Sequence, residues 1–375
     1  MHLSRVLARC LRGVVASTAG VLCVIGWSGA VSAQKVAPAA TSPSAGTTNK
    51  AVPGSPAGGK QGAVSFATMS LAVQQQDYSV VQLRRFPDGQ GQVVSVRERL
   101  VVDAIGSGMP PFVLTFLGVE GELPGSPIWM KWQQTYNRDA ALFHNQGSFS
   151  VRDLASIQLN YTLHEFGSVV RAGRAAVRAV VFPQTSDKSI WVVDVDETTS
   201  IPLYWAEYDF QFRLLAEVEA LTFVDSVAAQ AQVAPAAGGT VQHVDFASAK
   251  TFLGDPPGIV DLPLALVNYS VSSIETRDDP LNGQQKLVTT YTDGVDQFTV
   301  VQVPGTPDLF ASLLAPTKGK TSTSMGHTIA RFSDPSMRVL LFWEDGVSFQ
   351  VAGRGSLSRL DSAAKQLYLQ ALSTH

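Results

Sequence analysis

Past residue 33 the chain has no cysteine: Cys10 and Cys23 are the only two among 375 residues, and both precede it. Whatever folds from residue 34 onward therefore uses no disulfide, no thiol nucleophile and no cysteine-held metal. Charge is scarce as well. Charged residues make up 16% of the chain and hydrophobic ones 45%, so it can fill real cores and is not disordered overall. The formal charge of −3 becomes −6 once Arg5, Arg9 and Arg12 are set aside, a balance that does not suit nucleic acid. No Gly-x-Ser-x-Gly elbow is present. His144, His164, His243, His327 and His375 do not pair at metal-ligand spacing. No catalytic residue, metal site or cofactor is expected.

What is present begins with an address. Three arginines and no acid lead into an apolar run from Gly13 to Trp27, followed by Val31-Ser32-Ala33. A basic start, a short apolar run and small residues before the exit predict a signal peptide cut after Ala33. A spanning helix would need about 20 apolar residues. Leu22, not a small residue, precedes Cys23, which disfavours a lipidated cysteine there. Export to the periplasm follows, since the family resemblance below is to bacterial proteins.

Residues 34–62 are Ala, Pro, Ser, Gly, Thr and Lys with almost nothing to bury, a flexible linker. A second such stretch, within 229–249, separates two apolar-patterned regions. The first domain is placed at 63–228 and a smaller one at 250–375. In the first, a helix is expected near Phe66–Val73, then a hairpin with Val80, Gln82 and Arg84 on one strand and Val94 to Val102 on the other. Phe112–Leu117 and Ile128–Trp132 read as strands, Asn137 as a helix cap, and Ser150 as the cap of a helix from Val151 to about Leu159. Alternation then predicts strands at Ala175–Phe182, Ser189–Val195, Leu203–Tyr208, Phe210–Leu215 and Glu217–Val224. In the second domain Leu266–Ile274, Gln285–Thr292, Gln297–Val303, Thr328–Phe332, Arg338–Trp343 and Val347–Gly353 read as strands. Lys318–Ser324 reads as a polar loop. A closing helix capped by Ser356 or Ser358 runs to about Leu372. The class is α+β.

Two motifs suggest chemistry. Asp194-Val-Asp196-Glu-Thr198 after an apolar strand has the form of a phosphatase nucleophile motif, with Asp255 and Asp261 as partner acids for magnesium. That enzyme needs parallel strands with helical crossovers, and the next 25 residues alternate instead. A polar turn ending a strand is the simpler account, which leaves a secreted magnesium-dependent phosphatase the least favoured function. Lys318-Gly319-Lys320-Thr321 ends like a phosphate-binding loop but has Leu314 where the first glycine belongs, and a solvated loop is expected.

Leu159-Asn160-Tyr161-Thr162-Leu163, Gly167, Ala172-Gly173-Arg174, Val181-Phe182-Pro183, Ile190-Trp191-Val192-Val193-Asp194, Thr198, Ile201-Pro202-Leu203 and Phe223 resemble the periplasmic sigma-factor regulators of the RseB/MucB family. Leu262-Pro263 and Tyr291-Thr292-Asp293-Gly294-Val295 resemble features of that family's smaller C-terminal domain. The family's Thr-Gly turn reads Thr199-Ser200 here. The resemblance implies a LolA/LolB-like first domain, a strongly curved antiparallel half-barrel wrapped on helices with an apolar hollow for acyl chains. It implies a second domain that contacts a membrane anti-sigma factor. Phe112, Leu114, Trp129, Trp132, Trp191, Phe210 and Phe212 are the candidates to line the hollow; an acyl chain gains about 0.8 kcal/mol per buried CH₂. The expected function is a non-enzymatic periplasmic regulator that senses lipid or lipoprotein and binds the periplasmic part of an anti-sigma factor. A periplasmic lipid or lipoprotein carrier is the alternative.

Overall fold

The computed structural model describes residues 64–87, 93–103, 112–145, 147–225, 242–243, 245–254, 258–278, 285–305, 320–324, 327–333, 338–354 and 360–367. The expected signal peptide and first linker, most of the second linker, Asp255, Lys318, Gly319, Ser356 and Ser358 lie outside the described residues.

The first domain holds α1 (Phe66–Gln75), α2 (Pro127–Asn145), α3 (Leu154–Asn160) and strands β1 (Tyr78–Pro87), β2 (Val93–Val102), β3 (Phe112–Val119), β4 (Tyr161–Arg171), β5 (Arg174–Pro183), β6 (Ile190–Asp196), β7 (Pro202–Tyr208) and β8 (Leu214–Val224). The eight strands form one sheet in the order β3-β2-β1-β8-β7-β6-β5-β4, and every pair is antiparallel. Parallel crossovers of the phosphatase kind are absent from residues 175–224. The sheet curls into a half-barrel. Register shifts at Val81/Gln82 and Arg97/Glu98 sit at the same level of β1 and β2, and others lie in β4 and between β6, β7 and β8. Each extra residue bends its strand and sharpens the twist.

Period two sorts the side chains. Tyr78 and Val80, Val96, Leu100 and Val102, Ala179 and Val181, Trp191 and Val193, Trp205, and Val218 and Ala220 are buried on the concave face. Helix α2 crosses that face and brings Trp132, Tyr136 and Phe143 to it. Residues 128–132, expected as a strand, are the first turns of α2. Ser126 accepts a hydrogen bond from the Trp129 N–H at 3.2 Å, and Pro127 occupies the first helical position, where a missing N–H costs nothing. Asn137 is therefore interior to the helix and caps nothing. The cap of α3 is Asp153, whose carboxylate accepts from the Ser156 N–H at 2.6 Å, three residues later than Ser150.

The second domain is a nine-stranded antiparallel sheet: β9 (Gln242–His243), β10 (Ala265–Leu266), β11 (Tyr269–Asp278), β12 (Gln285–Thr292), β13 (Gln297–Pro304), β14 (Lys320–Ser324), β15 (His327–Ser333), β16 (Arg338–Glu344) and β17 (Val347–Gly353). Lys320–Ser324, expected within a loop, is an edge strand paired to β15. The strand expected over Leu266–Ile274 is broken by Val267 and Asn268, both at positive φ, which turn β10 into β11. Helices α4 (Phe246–Phe252) and α5 (360–367) pack Ala249, Ala363, Ala364 and Leu367 into the core with Leu287, Tyr291, Phe298, Phe349 and Val351. Residues 242–243 and 245–249, counted with the linker on composition, thus pair with or pack on this sheet. Among the described residues no helix is long and apolar enough to cross a membrane.

Candidate functional site

The concave face of the first sheet is apolar with one charged seam through it. Glu98 points inward from β2 and is fully buried. Its carboxylate accepts from Gln82 Nε2 and Tyr136 Oη, each at 2.5 Å, and from Arg84 Nε and Nη2 at 3.1 and 2.9 Å. Arg84 Nη1 donates to the Gly147 carbonyl at 2.6 Å, tying β1 to the segment after α2. Burial alone would lower the Arg84 guanidinium, but Glu98 and Tyr136 outweigh it and hold it above its ordinary value. Burial and the Glu98 charge push the Tyr136 phenol far up, so it stays a hydrogen-bond donor.

This seam lies between two apolar clusters. The Arg84 guanidinium is 5.9 Å from the Phe143 ring centroid on one side and 5.7 Å from that of Trp205 on the other. Phe112, Leu114 and Trp132 belong to the Phe143 side, and Trp129 joins them through an edge contact with Phe116 at 5.3 Å. Trp191 belongs to the other side, packed on Phe149 at 5.5 Å and Trp205 at 5.7 Å. The structure therefore brings four candidates together and sets Trp191 across the seam. Phe210 and Phe212 join neither. Of the expected strand at Phe210–Leu215, residues 210–213 are instead the turn joining β7 to β8, which Asp209 organises by accepting from the N–H groups of Gln211 and Arg213 at 2.9 Å each, and Leu214 and Leu215 open β8. Both phenylalanines are exposed, at 55% and 68%, and Phe212 has φ 58°. Asx turns override alternation when the carboxylate can satisfy the backbone locally.

Sequence reasoning missed Gln82, Arg84, Glu98 and Tyr136 as a unit. A signal existed: Gln82 and Arg84 share the inward parity of Val80, and Glu98 that of Val96 and Leu100.

Asp194 and Asp196 are spoken for on the outer face. Asp194 accepts from Arg171 Nε at 2.6 Å and Arg178 Nε at 2.7 Å. Asp196 accepts from Arg174 Nε at 2.8 Å and from both the N–H and hydroxyl of Thr199 at 2.8 Å. Burial would raise the Asp196 carboxyl, yet Arg174 and Thr199 hold it below its ordinary value. The ladder continues through Arg171 to Glu219 and from Glu219 and Glu217 to Arg85. These ion pairs pin five strands and a turn. Among the described residues no group of three His, Cys, Asp or Glu could hold a metal ion.

No family model matches the chain, and no curated protein matches it by sequence. Solved structures do. A structure of MucB is 15% identical, covers 80% of this chain and 94% of its own, and has a TM-score of 0.43. The Pseudomonas aeruginosa MucA/MucB complex gives 15% identity, 80% and 95% coverage and a TM-score of 0.43. A putative outer membrane lipoprotein-sorting protein domain from Vibrio parahaemolyticus gives 10%, 44% and 93%, with a TM-score of 0.18. The chain is thus similar to MucB over four fifths of its length.

Proposed function

We propose that the chain is an exported, non-enzymatic regulator. Its first domain takes acyl chains of lipid or lipoprotein against the concave face, and its second domain contacts the periplasmic part of a membrane anti-sigma factor. The observation that carries this reading is a convergence. The residues on which the family resemblance rests are far apart in sequence, yet Tyr161, Trp191, Val193 and Val295 share one buried cluster. Tyr161 also donates to Asp293 at 2.7 Å. The resembling stretches of both domains meet at one junction, as they would if their joint arrangement were what a partner reads. Phe112, Leu114, Trp129 and Trp132 are the proposed acyl contacts on one side of the Arg84–Glu98 seam, and Trp191 on the other. Regulation would be linkage: an acyl ligand must favour the arrangement that releases the partner, or it shifts nothing.

The test is capture from an envelope extract with the tagged full chain. A single-pass membrane regulator should be retained, and added lipid should release it. Recovery of no membrane protein, with lipid transferred between vesicles instead, would replace this reading with that of a carrier.

A further inference from the structure

The two domains are joined by more than a linker. The turn between β12 and β13 enters the first domain. Arg152 donates its N–H to the Gly294 carbonyl at 2.8 Å and its Nε to the Val295 carbonyl at 2.7 Å. Asn160 Nδ2 reaches the Asp293 carbonyl at 3.1 Å. The Asp293 carboxylate, with no exposed surface, accepts from Tyr161 Oη at 2.7 Å and Lys188 Nζ at 3.3 Å across the junction, and from the N–H groups of Val295 and Asp296 within its own turn. Lys188 is itself 2% exposed, also donates to the Asn268 carbonyl at 3.3 Å, and lies 4.6 Å from the Tyr269 ring centroid. Gly294 has φ 105°, and a Cβ there would stand 2.2 Å from the Ile157 nitrogen. A second contact pairs Arg354 with Glu207, at the end of the concave face.

We propose that residues 292–296 are a latch that sets the arrangement of the two domains, with α3 as its receiving half. The reason lies in what α3 touches. Ile157 is fully buried in the same cluster as Trp191, Trp205, Phe66 and Met69, and its backbone is the surface on which Gly294 lies. One short helix therefore belongs both to the packing of the first domain's concave side and to the grip on the second domain. A change in that packing that moves α3 removes the bed of Gly294 and separates Tyr161 and Lys188 from Asp293. An unpaired charge cannot stay in a dry interior, so the turn leaves as a unit. The latch is a property of the chain whatever its ligand or partner.

The absence of cysteine past residue 33 makes it testable. Ser156 and Ser270 face each other across the junction with hydroxyl oxygens 3.0 Å apart, so cysteines at the two positions would hold their sulfurs within reach of each other. In a full chain carrying Cys10→Ser and Cys23→Ser, the pair Ser156→Cys and Ser270→Cys should cross-link on oxidation without changing the radius of gyration in X-ray scattering. Adding Gly294→Val, or Lys188→Met, should slow cross-linking at least tenfold. Without the cysteine pair, either change should enlarge the radius of gyration while the far-ultraviolet circular dichroism of both sheets is kept. Lys188→Met adds no bulk, so it still reports if Gly294→Val misfolds. The latch is overturned if the cysteines stay reduced although reagents label both, or if Lys188→Met alters neither cross-linking nor radius. Loss of partner capture with an intact latch would instead count against the regulator reading alone.

Discussion

At the turn from β6 to β7 Ser200 takes φ 60°, a left-handed conformation that favours glycine, in the place where the resembling family has one. The turn survives because Thr199 and Asp196 lock it by side-chain hydrogen bonds. His144 shows another hidden cost. Its ring centroid lies 4.0 Å from that of Phe112, and its Nδ1 is enclosed with no hydrogen-bond partner among the described residues. Burial, helped by Arg152 and Arg84, pushes the imidazole down from 6.5 to about 3. Between those values the unfolded chain binds the proton and the folded chain does not. Stability from this group is thus complete above 6.5 and falls as pH drops toward 3, by up to about 1.4 kcal/mol per pH unit. The urea midpoint of His144→Leu should therefore change less between pH 7 and pH 4.5 than that of the parent chain. Parallel curves for the two would mean that His144 protonates freely in the folded state.

Elements were legible where one period ruled. β2, β5 and β8 alternate over most of their length because one face is buried and the other more exposed. Residues 128–132 were not legible, because a short apolar run fits strand or helix equally. Only the longer series Trp132, Tyr136, Phe143, at spacings of a helix face, separates them, and it needs the Ser126-Pro127 start to be recognised. The charged seam was legible in parity but not in partner, since Tyr136 arrives from α2. This seam is where element packing can be measured. Arg84→Met or Glu98→Gln leaves one group buried without its counterpart and should cost about 3–5 kcal/mol each in urea unfolding. Removing both with Arg84→Met and Glu98→Gln in one chain should cost clearly less than the two losses added, because the survivor's desolvation penalty disappears. Simple additivity would show that the two side chains do not act as a pair.

For the whole molecule, composition says nothing of how the two sheets meet. The junction is made by contacts such as Tyr161 to Asp293, 132 residues apart, and no local period encodes such a pairing. Its consequence is that the first domain borrows part of its core. Val295, 1% exposed, comes from the second domain yet packs with Ile157, Trp191 and Val193. A chain ending at residue 228 would lack it and would wet the face of Ile157 that Gly294 covers. Burial of a valine side chain is worth about 2 kcal/mol. For a domain of this size that loss lowers the melting temperature by roughly 4–8 °C. The isolated region 63–228 should accordingly melt several degrees below the first-domain transition of the full chain, and lipid transfer by such a truncation must be compared at a temperature where both are folded. Equal melting temperatures would mean that the turn rests on a core already complete, and truncation could then separate a carrier from a regulator without this correction.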